Sequence, residues 1–180
     1  MTRSRLRAAG GGLGFVFVGG PTLVAGLVPW LMTHWHADDQ LLSLKLLGGA
    51  FIAFGLLLVL EATARFALQG RGTPAPWAPP ERFVARGSYR FTRNPMYVGV
   101  LALIVGQALL LGREILLAWA AAAWLIFQLF LVFEEEPGLR KRFGAAYEDY
   151  CARVPRWLPI APRSPRYSRR RPDRPARRSQ

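Results

Sequence analysis

Four long apolar runs constrain this chain more than any other feature. Residues 10–32, 95–111 and 115–133 contain no Asp, Glu, Lys or Arg, and 41–68 carries only Lys45 near its start and Glu61 and Arg65 near its end. A run of ~20 apolar residues matches a helix that crosses a bilayer. In lipid such a segment must satisfy its backbone internally, which selects helix. Apolar residues make up 52% of the 180, and they are segregated rather than dispersed. The expected fold class is therefore an all-α integral membrane protein with about four transmembrane helices and a C-terminal cytoplasmic amphipathic helix. The first helix is expected over Leu13–Met32, with Pro21 and Pro29 as tolerated kinks. That run is long for a signal peptide, and no small-residue cleavage site closes it. The second is expected over Leu41–Leu68. The last two, Pro95–Leu111 and Ile115–Phe133, are separated by Gly112-Arg113-Glu114 and form a helical hairpin. At about 17 residues the first arm is short for a full span, so a tilted or partly spanning hairpin is also compatible.

The segments between the runs divide the chain into a basic N-terminus (1–9), two transmembrane helices (10–68), a core (69–160) and a tail (161–180). The 33–40 loop holds His34, His36, Asp38 and Asp39 and reads as a solvated turn; two histidines are weak evidence for a metal, and none is expected. Lys45 can snorkel to the interface. Glu61 and Arg65 lie four apart on one helix face and read as an interfacial ion pair, or as part of a site mouth. Residues 69–80 are rich in Gly and Pro and form either a linker or a lid carrying Trp77. In 134–159 Leu139, Phe143, Tyr147 and Tyr150 recur at helical spacing, Gly144 interrupts them and Pro155 ends them. The Arg/Pro/Ser-rich tail reads as disordered and suited to anionic lipid rather than nucleic acid. Cys151 is the one cysteine, so no intrachain disulfide forms, and it reads as structural.

Charge sets the orientation. The net charge is +13, and arginine concentrates in the N-terminus, in 69–94 and in the C-terminal segment, whereas 33–40 has none. Four crossings with both termini in the cytoplasm satisfy the positive-inside rule at every loop. A bacterial inner membrane is the expected location.

Two polar clusters flank the hairpin. Arg86 to Gly99 brings three arginines, two tyrosines, Asn94 and the helix-starting Pro95; Glu134-Glu135-Glu136 follows the next apolar run. Crossing out and back returns the chain to one membrane face, so the clusters are expected to meet there. Arginines and a helix N-terminus suit a carboxylate or phosphate. Glutamates suit a cation or ribose hydroxyls. Tyr89, Tyr97, Phe143 and Tyr147 suit a flat ring or an onium centre. S-adenosylmethionine has all of these parts, and a nicotinamide nucleotide shares the phosphate and ribose demands. No Rossmann glycine fingerprint follows a strand, so a nucleotide would be held in another way.

Gly87-Ser-Tyr-Arg-Phe-Thr-Arg-Asn-Pro-Met-Tyr-Val-Gly99 resembles a block of the integral-membrane methyltransferases, the isoprenylcysteine carboxyl methyltransferases and their phospholipid methyltransferase relatives. Glu135-Glu136-Pro-Gly-Leu139, then Phe143-Gly144, Tyr147, Tyr150 and Val154-Pro155-Arg156 with Pro159, resembles that family's second block. The resemblance covers roughly residues 70–160. It implies a cytoplasm-facing S-adenosylmethionine pocket with a lipid-side entrance. It implies that Arg93, Asn94 and Tyr97 contact the cofactor, that Glu135 and Glu136 bind its polar groups, that Tyr147 walls the pocket and that Arg156 lies near the methyl acceptor. Arg93, Asn94, Glu135 and Arg156 are thus the candidate catalytic residues. Tyr89, Arg93, Asn94, Pro95, Tyr97, Glu135, Glu136 and Tyr147 are the candidate cofactor-binding ones. Asn94 departs from the histidine of many members, and asparagine is no general base at neutral pH.

The function this implies is methyl transfer to a carboxylate or amine of a lipid or lipid-like acceptor. The alternatives are an NADPH-dependent reductase of the sterol-reductase type and a non-enzymatic lipid-binding membrane protein. The acceptor and the oligomeric state are not legible in the sequence.

Overall fold

The computed structural model describes residues 19–65 and 86–158; the Gly/Pro loop, the N-terminal basic segment and the Arg/Pro tail lie outside the described residues. All regular structure among the described residues is helical. Helix α1 runs Gly20–Thr33, α2 Leu42–Arg65, α3 Pro95–Leu111, α4 Ile115–Phe143 and α5 Ala145–Arg153. Two of these, α2 and α4, are long and apolar enough to cross a membrane, whereas α1 and α3 are shorter apolar helices. At 1.5 Å per residue α2 is ~36 Å long and α4 ~44 Å. Their apolar side chains face outward, with Leu42 71% and Phe133 69% exposed. Such continuous apolar surface belongs against lipid, and the chain is a membrane-associated protein.

Proline shapes α1. The ladder widens over Leu23–Leu27, where the Val28 N–H reaches back five residues to the Leu23 carbonyl. Pro29 follows and has no N–H to give, so the helix ladder loses a donor there. Two side chains from the hairpin replace it. Gln107 Nε2 donates to the Ala25 carbonyl at 2.7 Å, and Trp119 Nε1 donates to that of Val24 at 2.9 Å. The proline is tolerated because neighbouring helices satisfy the freed groups.

Helix α3 is the buried centre: Val100, Ile104, Ala108 and Leu111 pack with Leu116, Ala120 and Ala123 of α4, Val59 of α2 and Ala25 of α1. It lies against α2 almost backbone to backbone. A Cβ added at Gly48 would sit 2.7 Å from the Gly106 carbonyl, and one at Gly55 2.7 Å from that of Gly99. Small residues spaced by seven on both helices make this approach possible.

Gly112 (φ 69°) closes the tight turn of the expected hairpin. There Arg113 pairs with Asp38 at 3.0 Å and donates to the His36 carbonyl. The 33–40 loop and the 112–114 turn therefore share one end of the molecule. At the opposite end α4 does not stop at Phe133. It widens again over Leu131–Glu135, one residue pair ahead of Pro137, and continues to Phe143. The polar stretch expected as one C-terminal amphipathic helix is thus two pieces, the end of α4 and α5. Gly144 (φ 53°) breaks them, because the left-handed backbone there favours glycine. Val154 is extended ahead of Pro155, as a residue before proline should be.

Candidate functional site

The two polar clusters meet at this second end. The residues before α3 and those after α5 are stitched together through the backbone. Arg93 N–H donates to the Pro155 carbonyl at 2.9 Å, and Tyr150 Oη to the Tyr89 carbonyl at 2.7 Å. Thr92 Oγ1 and Asn94 Nδ2 both donate to the Arg156 carbonyl, at 3.0 and 3.1 Å. Thr92 and Asn94 are buried, and Pro95 begins α3 fully buried beside them. Asn94 is therefore a donor that fixes the backbone of Arg156.

Glu136 is the hub. It is 3% exposed, and three arginines converge on it. Arg156 binds it through two nitrogens, Nε to Oε1 at 2.7 Å and Nη2 to Oε2 at 3.0 Å. Arg93 Nη1 reaches Oε1 at 3.2 Å, and Arg140 Nη2 reaches Oε2 at 3.3 Å. Three guanidinium groups on one carboxylate leave a local surplus of positive charge. The Glu136 hydrogen bond raises the pKa of Arg156 further above its ordinary value. The partner of Arg93 is thus Glu136, and Glu135 bonds instead to Tyr97, whose hydroxyl donates to Oε2 at 3.1 Å. Tyr97 also stacks on Phe127, ring centroids 4.6 Å apart. Arg93 Nη1 contacts Cys151 Sγ at 2.9 Å as well, while its Nε is buried with no hydrogen-bond partner among the described residues.

Tyr147 and Tyr150 are buried with Val154 against Leu139, Phe143 and Cys151. Burial pushes both hydroxyls, and that of Tyr89, well above the usual tyrosine range, so all three stay protonated at neutral pH. Glu61, at the end of α2, pairs with Arg65 and accepts from Ser88 Oγ and, at 3.4 Å, from Ser88 N–H. That ion pair so ties α2 to the turn that leads into Arg93.

Several contributors escaped the sequence reading. Cys151 reads as a plain structural residue, yet it touches Arg93. Thr92 has no motif signal of its own. Trp157 bonds to Gln128 through Nε1 at 2.8 Å and lies 6.1 Å from the Trp124 ring, which pins the segment after α5 along α4. The lone Gln128 within an apolar run was the available signal for such a partner.

Comparison with known proteins gives the same family as the motifs. The family model for phospholipid methyltransferases matches residues 44–146, which includes most of α2, the hairpin, Arg93, Glu135 and Glu136. The chain belongs to that family. Among curated relatives, a protein-S-isoprenylcysteine O-methyltransferase of Schizosaccharomyces pombe is 34% identical over 80 residues, 44% of this chain and 34% of the relative. The protein-S-isoprenylcysteine O-methyltransferase B of Arabidopsis thaliana is also 34% identical over 80 residues, 40% of its length. A probable protein-S-isoprenylcysteine O-methyltransferase of Oryza sativa subsp. indica is 33% identical over 41% of its length. The chain thus spans about a third to two fifths of the curated relatives it matches. No solved structure gives a significant match.

Proposed function

We propose that this chain is an S-adenosylmethionine-dependent membrane methyltransferase acting on a carboxylate or amine of a lipid or lipid-like acceptor. The reading rests on the junction of the two motifs. A surplus of guanidinium groups and an orphaned, buried Arg93 Nε lie around Glu136, and the next carboxylate in the sequence, Glu135, has only one hydrogen-bond partner among the described residues. That donor set fits a zwitterionic amino-acid group, with the arginines toward its carboxylate and Glu135 toward its amine or a ribose hydroxyl. When bound, S-adenosylmethionine supplies an electrophilic methyl group on a sulfonium.

The chain's own residues then bind and orient. Arg93 and Arg156 hold the carboxylate end, and Tyr97 fixes the rotamer of Glu135. Tyr89 and Tyr147 wall the pocket with aromatic faces suited to a cationic or flat group. Asn94 holds the Arg156 backbone and takes no proton. A carboxylate acceptor needs no base, whereas an ammonium acceptor must lose a proton, and Glu135 is the group placed to take it. Residues 69–160 form the catalytic core. Four crossings put this site and both termini on the cytoplasmic side, in a bacterial inner membrane.

Isothermal titration of the detergent-solubilised protein with S-adenosylhomocysteine and with NADPH tests the reading. Binding of the first and not the second is expected. Binding of NADPH alone would replace it with a reductase.

A further inference from the structure

We propose that the two adjacent glutamates divide their work: Glu136 is a positioning residue saturated by arginine, and Glu135 alone is left to contact a ligand. The proposal builds on the methyltransferase reading. An ionised carboxylate has about four lone-pair sites. Glu136 uses both oxygens twice: Oε1 for Arg93 Nη1 and Arg156 Nε, Oε2 for Arg156 Nη2 and Arg140 Nη2. It is 3% exposed and has no capacity left for an incoming amine or hydroxyl. Among the described residues Glu135 accepts one bond, from Tyr97 Oη, and keeps the rest of its capacity.

What Glu136 does is fix two guanidinium planes that come from distant parts of the chain. Arg93 precedes α3 and Arg156 follows α5, and Glu136 of α4 stands between them. Among the described residues Arg156 spends Nε and Nη2 on Glu136 and keeps Nη1; Arg93 spends Nη1 on Glu136 and Cys151 and keeps its buried Nε. The donors not used on Glu136 are the ones offered to a ligand carboxylate. A glutamine at 136 would turn an N–H₂ donor against arginine donors and expel one fork. Lost alignment then outweighs the removed negative charge.

The test compares two ligands. S-adenosylhomocysteine carries the amino-acid carboxylate, and methylthioadenosine lacks it. With the full chain in detergent, Glu136→Gln should weaken S-adenosylhomocysteine tenfold or more and leave methylthioadenosine within about twofold. Equal losses for both ligands, or no loss for either, would overturn the proposal. If Glu136→Gln does not fold, Glu136→Asp, which keeps the charge on a shorter stem, should show the same ligand selectivity in weaker form. A second measurement needs no cofactor. Modification by phenylglyoxal, mapped by mass spectrometry, should accelerate at Arg93 and Arg156 in Glu136→Gln but not in Glu135→Gln, with exposed Arg90 as the internal reference. Wild type that binds no S-adenosylhomocysteine would sink the methyltransferase reading; unchanged arginine protection in Glu136→Gln would sink the positioning role.

Discussion

Asn94 shows what a single residue contributes here. Its amide shares the Arg156 carbonyl with Thr92, and both donor residues are buried. Asn94→Ala removes one of two donors, so the cost should lie near the low end of the roughly 1–3 kcal/mol for a buried group losing its partner. Thermal unfolding of the Asn94→Ala and Thr92→Val single variants and of their double checks this. The double should cost more than the two singles combined, because only then does the carbonyl lose every partner among the described residues. Arg93 is less replaceable. One guanidinium reaches Glu136 and Cys151 and still holds Nε in reserve, which the single nitrogen of lysine cannot do. Arg93→Ala should therefore weaken S-adenosylhomocysteine binding roughly ten- to a hundredfold. Arg93→Lys should recover only part of that loss in the same titration.

At the scale of elements, the α2–α3 contact gives the sharpest prediction. Gly48 and Gly49 are neighbours in sequence and opposite in surroundings. A Cβ on Gly48 meets the Gly106 carbonyl and the Leu110 nitrogen, both backbone at 2.7 Å, while one on Gly49 meets nothing within 4 Å. Gly48→Ala should force the helices apart at about 1–3 kcal/mol. Gly49→Ala should be neutral or slightly stabilising, since alanine favours helix over glycine. Chemical denaturation of the two variants in one detergent separates them. The glycine spacing behind this was visible in the sequence, at 48 and 55 and again at 99 and 106, but its meaning was not, because nothing local says that two such rows face each other. The hairpin and the meeting of its flanking clusters were legible, since two apolar runs joined by Gly112-Arg113-Glu114 can only return to the starting face. Which glutamate faces Arg93 was not legible. Adjacent helical residues point about 100° apart, and the widened turn over Leu131–Glu135 shifts that register by a residue. The same device in α1 was foreseen only as a kink, because the side chains that make it tolerable, Gln107 and Trp119, lie some 80 to 95 residues further along.

For the whole molecule, the open question of orientation has a definite expected answer. The structure sorts the polar segments into two ends. One end holds the 33–40 loop and the 112–114 turn, joined by the Arg113–Asp38 pair. The other holds the arginine-rich 86–94 segment and the Glu136 hub, with the basic Arg140, Lys141 and Arg142 in the last turn of α4. The first end has a single arginine, and Asp38 offsets it, so it carries little of the charge that resists translocation. The second end carries an excess of arginine within a few residues of the membrane-crossing helices, which is the charge the positive-inside rule counts. Reporter fusions at residues 37 and 165 should accordingly read opposite compartments, with 37 outside and 165 in the cytoplasm. A cytoplasmic signal at 37 would invert the arrangement and place the Arg93–Glu136 junction away from any cytoplasmic supply of nucleotide cofactor.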